Sequence, residues 1–208
     1  MPVGRLHDVD HSPESAVTRL RPLLVAVRDA LTAGVAVSRA VHAEHGWNPT
    51  ADRHLFHQLV RREAMERLKP WGADLDEPHA ELPLGRQLDL FDPPTDNLGL
   101  PMSGLIVGTP TEVVRIWHSD DGELPAADTV GLRSFYRQAP SRQTQLVLAG
   151  ADVPPARDHL ALLWADSRTG GRTGGLVRLD LVRPAGSIGR RVDVDWHVDL
   201  LGRLTAAA

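Results

Sequence analysis

The stretch from Trp71 to Leu100 constrains this chain most. It holds four prolines (Pro78, Pro83, Pro93, Pro94) and seven acidic residues (Asp74, Asp76, Glu77, Glu81, Asp89, Asp92, Asp96), and no helical periodicity crosses it. Proline fixes φ and removes a backbone donor, so neither a helix nor a central strand can run through such a segment. It reads as a linker, 71–100, between two differently patterned parts.

Before it, residues 12–70 read as a helical unit. Ser12-Pro13 is a helix start, with a hydroxyl to cap free amides and proline tolerated at the first helical position. Val17, Leu20, Leu23, Leu24, Val27 and Leu31 then recur at three- and four-residue spacing and define a buried face. Pro22 predicts a kink and Gly34 an end, followed by a second helix over 35–45. Past Gly46-Trp47-Asn48-Pro49, Thr50 caps a third helix that turns Leu55, Leu59 and Leu68 to the core, beside Phe56, Val60 and Met65.

After the linker, residues 101–203 read as an antiparallel β-rich unit. Short β-like runs fall at 105–107, 112–118, 144–148, 159–165, 176–183 and 191–201, separated by Gly, Pro, Asp and Ser. The last two alternate: Val177, Leu179 and Leu181 share one face, and Val192, Val194, Trp196, Val198 and Leu200 share one face of the next, which predicts a sheet buried on one side. The fold class is α+β.

Composition narrows function. The 208 residues contain no Cys, which removes disulfides, thiol nucleophiles and thiolate zinc sites. Lys and Arg total 23 against 27 Asp and Glu, a net charge of -4, so the chain lacks the basic excess of an autonomous duplex binder. Nucleic-acid contact is then local or indirect. No apolar run approaches a membrane span, and the first residues lack the pattern of a secretory signal, which gives a cytoplasmic expectation with no membrane partner.

Inside the linker stands Gln87-Leu88-Asp89-Leu90-Phe91. This pentapeptide resembles the sliding-clamp-binding motif of bacterial replication and repair proteins, Gln-Leu, then Ser or Asp, then Leu-Phe, at all five positions. The resemblance covers these residues alone and implies a partner, the DNA polymerase III β subunit. By that resemblance Leu90 and Phe91 fill a pocket on the clamp, Gln87 hydrogen-bonds at the other end, and Leu88 makes a partial contact. The same stretch has a structural alternative, since Leu82, Leu84, Leu88 and Leu90 share parity and would suit an edge strand. The clamp reading makes the protein a non-enzymatic accessory of replication or repair, needing no cofactor.

Further constellations compete. Asp193, Asp195, His197 and Asp199 alternate along the last strand and could hold a divalent cation for a metal-dependent nuclease or hydrolase, although a polar solvated face is the commoner reason for such a row. His42, His45, His54 and His57 flank the helical turn in pairs three residues apart, where imidazoles could converge. Residues 35–69, with Arg53, Arg61, Arg62, Arg67 and Lys69, allow a helix-turn-helix regulatory or mobile-element protein. Arg168 and Arg172, in a tandem Arg-Thr-Gly-Gly loop, are candidate nucleic-acid contacts; the loop lacks the ending of a P-loop. His118, Ser119 and Asp120 include triad residue types, but neighbours along one strand cannot converge as a triad, and no nucleophile is assigned.

Overall fold

A computed structural model describes residues 11–75, 105–138, 157–167 and 175–205. The clamp-like motif Gln87–Phe91, the run 144–148, and Arg168 and Arg172 lie outside the described residues.

Helix α1 runs without interruption over Pro13–His45. Ser12 accepts a hydrogen bond from the Ser15 amide at 3.3 Å, Pro13 occupies the first turn, and Gly46 closes the helix at φ 66°. The predicted break at Gly34 and the separate helix over 35–45 are not there, and Pro22 lies within the helix. Gly34 serves a different purpose. A Cβ on it would stand 2.7 Å from the Val60 carbonyl oxygen and 3.1 Å from Val60 Cα, so glycine is what lets the two helices approach.

Helix α2, Arg53–Leu68, returns against α1 and is capped by Asp52, whose carboxylate accepts from the Leu55 amide at 3.4 Å, rather than by Thr50. Its buried row is Phe56, Val60, Ala64 and Leu68. Leu55 and Leu59 are only half-buried, because the helix turns its four-residue row toward Gly34 and Ser38. Ser38, fully buried, donates its hydroxyl to the Phe56 carbonyl at 3.0 Å and fixes the crossing.

Among the described residues a single six-stranded sheet follows in chain order: β1 Ala73–Leu75, β2 Leu105–Gly108, β3 Glu112–His118, β4 Asp158–Asp166, β5 Leu176–Ile188 and β6 Arg191–Asp199. The first strand comes from within the stretch read as linker. Four pairings are antiparallel, but β3 and β4 run parallel, from Glu112 against Asp158 to His118 against Trp164, so the sheet is mixed rather than purely antiparallel. A parallel pair requires a crossover, and the short helix α3, Val130–Tyr136, lies in it.

Both faces of the sheet centre are covered, against the expectation of one buried side. Leu160, Leu162 and Trp164 face the helical hairpin and join Leu24, Val27, Leu31, Leu179 and Leu181 in one core. Ala161 and Leu163 face the other way, with Trp117, Val182, Phe135 and Tyr136. A strand buried on both sides reads as a continuous apolar run, as 160–165 does. A five-residue helix α4, Leu201–Thr205, ends the described chain.

Register shifts in both pairings of β5 break the alternation read from the sequence. Ala165 pairs with Arg178 and Asp166 with Leu176, so Val177 is unpaired and 57% exposed. On β6, Arg183 pairs with Trp196 but Pro184 with Val194, leaving Asp195 as the extra residue. Val198 and Trp196 therefore pack on the hairpin side while Val192 packs on the α3 side.

Candidate functional site

The carboxyl ends of the parallel strands β3 and β4 meet the helical hairpin at a cluster of titratable groups. His118 closes β3 and Asp166 closes β4. The Ser119 amide donates to the Trp164 carbonyl at 2.9 Å and extends the ladder past the strand end, so the two residues share a rigid support. Both lie on the hairpin side, where α2 brings down His57 and α1 brings Arg39.

The His57 and His118 rings lie nearly face to face, with centroids 3.7 Å apart and planes inclined by 31°. Trp164 presents its edge to both, at 5.8 Å from His57 and 4.8 Å from His118. His118 Nε2 is 3.6 Å from Asp120 Oδ1 and 3.9 Å from Asp166 Oδ1. Asp166 is turned by Arg39, which donates to Oδ2 at 3.2 Å and to the Ser167 carbonyl at 2.6 Å, and this leaves Oδ1 toward the histidines. Asp120 pairs with Arg53 at the start of α2, and Arg178 donates to the Asp120 carbonyl at 2.8 Å. Among the described residues, His57, His118 and Asp166 are the group whose donor atoms come together, all within 4.8 Å of one another.

Burial lowers the pKa of His57 to about 4, assisted by the neighbouring His118, Arg53 and His54 and opposed by Asp120. Near neutral pH the ring is uncharged, which is what allows it to lie against a second imidazole.

The four histidines around the turn do not converge. His42 is fully buried, with Nδ1 2.8 Å from the Ser38 carbonyl and its ring against Phe56 and Trp47. His45 stacks on Trp47 at 4.5 Å, and His54 lies 3.4 Å from the Gln58 amide. His57 alone of the four enters the cluster, since its partners come from strands far along the chain. The spacing of His57 was visible in the sequence; His118 stood out only as a triad residue type beside Ser119 and Asp120, and Asp166 carried no local signal beyond its place at a strand end.

The acidic row of β6 is split by the bulge. Asp195 turns to the hairpin side, where Arg183 donates to it at 2.8 Å; Arg183, 3% exposed, also donates to Asp158 at 2.9 Å. Asp158 lies 2.6 Å from His11, whose carbonyl accepts from Trp196 at 2.9 Å. His197 points to the other face, 3.1 Å from Asp180. Asp195 and His197 thus have separate partners and do not share a site, and Asp193 adds no third ligand to them. Ser119 forms a turn, lying 2.8 Å from Asp121 Oδ1 and accepting from the Gly122 amide at 3.1 Å. In the region weighed as helix-turn-helix, Arg53 pairs with Asp120, Arg67 with Glu63 and Lys69 with Glu66.

No protein-family model matches the chain, and no similar curated protein or solved structure is found. Among the described residues, no helix is long and apolar enough to cross a membrane.

Proposed function

We propose that this protein is a non-enzymatic accessory of replication or repair that docks on the bacterial sliding clamp through Gln87-Leu88-Asp89-Leu90-Phe91. The observation that carries the reading is the agreement of all five motif positions within a Pro-rich acidic segment. Its setting adds support. Leu75 and Leu105 are cross-strand partners of β1 and β2, so the described residues that flank 76–104 stand at adjacent points of the sheet. A peptide held at both ends by a paired strand edge has less chain entropy to lose on docking than a free tail.

Burying Leu90 and Phe91 contributes roughly 1.5 to 3 kcal/mol each before ordering costs are subtracted. Micromolar affinity, about 8 kcal/mol, follows for a motif of this size. Such a peptide acts by tethering, since a docked chain gains a high local concentration at the template. This suits a protein whose net charge of -4 gives it no general attraction for DNA. The competing hydrolytic reading of β6 loses its ligand set, because Asp195 is bound to Arg183 and His197 to Asp180.

The test is a titration of the full chain against purified β subunit. Wild type binds in the micromolar range, and Leu90→Ala combined with Phe91→Ala abolishes binding with an unchanged circular dichroism spectrum. Equal binding by the two proteins, or none by the wild type, overturns the proposal.

A further inference from the structure

We infer that His57, His118 and Asp166 form a binding site for a first-row divalent transition metal, Zn2+ in the first instance, at the junction of the helical hairpin with the ends of β3 and β4. The inference is independent of the clamp motif and uses none of its residues.

Geometry carries it. The three donors arrive from three elements and lie within 4.8 Å of one another. Around tetrahedral zinc, with bonds of about 2.0–2.1 Å, donors stand roughly 3.3 Å apart, so the widest pair closes by about 1.5 Å, which side-chain rotation supplies. The backbone beneath is fixed, since Ser119 and Trp164 continue the parallel ladder at 2.9 Å.

The donor set selects the ion. Two imidazoles and one carboxylate suit Zn2+ and its neighbours rather than Mg2+ or Ca2+, which prefer oxygen cages. Arg39 occupies Asp166 Oδ2 and aims Oδ1 inward, the outer-shell support that metal-binding carboxylates usually have. Asp120 is not among the donors that converge. Three protein ligands leave a fourth position for water or an incoming ligand, as in open zinc sites. The side chains of His118 and Asp166 are 16% and 13% exposed, shielded from bulk solvent yet reachable by an ion.

The experiment is calorimetric titration of the untagged full-length chain with Zn2+ in the presence of excess Mg2+, together with visible spectra of the Co2+-loaded protein. One Zn2+ binds per chain, and Co2+ gives the ligand-field bands of a low-coordinate N/O site. His57→Ala, His118→Ala and the isosteric Asp166→Asn each weaken binding by at least about tenfold, and Arg39→Met by about tenfold through loss of carboxylate orientation. His45→Ala and His197→Ala, outside the cluster, leave it unchanged; metal-free circular dichroism and melting show which variants remain folded. Absence of Zn2+ binding by the wild type, binding retained in the folded Asp166→Asn and His57→Ala variants, or equal losses in the two control variants would each overturn the inference.

Discussion

Gly34 of α1 sits against the backbone of Val60 in α2, so close that a β-carbon there would meet the Val60 carbonyl oxygen at 2.7 Å. The obstacle is main chain and cannot rotate away. Alanine normally gains about 1 kcal/mol over glycine inside a helix, but here the overpacking cost of roughly 1–3 kcal/mol opposes and exceeds that gain. Gly34→Ala is therefore expected to lower the urea midpoint without altering the slope. A raised midpoint would show that the hairpin is looser than described.

His57 gives the metal-free protein a pH-dependent stability. Its folded pKa, about 4, lies below the ordinary value of 6.5, chiefly because burial disfavours the charged ring. The unfolded chain then binds more protons between the two values, so stability from this group is complete above 6.5 and is lost as pH falls toward 4. Urea unfolding from pH 7 to 4 in chelator is expected to show a steeper decline for wild type than for His57→Gln. Parallel curves would mean that the ring is protonated as readily in the folded protein as in the unfolded chain.

Arg183 is buried between two carboxylates, donating to Asp195 at 2.8 Å and to Asp158 at 2.9 Å. Arg183→Ala takes this cation from both acids, leaving Asp158 beside His11, and a loss of about 3 kcal/mol, the lower end for breaking a buried pair, follows. Arg183→Lys keeps the charge but not the fork that reaches two acids, so it falls between the two proteins in denaturant midpoint. A cost below about 1 kcal/mol for Arg183→Ala would mean that water reaches these acids and replaces the cation.

Much of the local structure was written in the chain. The apolar row from Val17 to Leu31 is buried as its spacing required, and Ser12-Pro13 starts the helix. Five of the β-like runs are strands, and the chain is α+β. These signals are local: a periodicity or a cap depends on residues within a few positions. Gly34 misled for the same reason, because glycine signals a helix end locally and a close approach only when the partner helix is present.

What the tertiary structure alone decided depends on pairing at long range. A bulge has no sequence mark, yet the one at Asp195 turns that carboxylate to Arg183 and parts it from His197. The parallel pairing of β3 with β4 sets His118 and Asp166 side by side, and the hairpin lowers His57 onto them. Their meeting is a property of register and packing, which no spacing along the chain encodes.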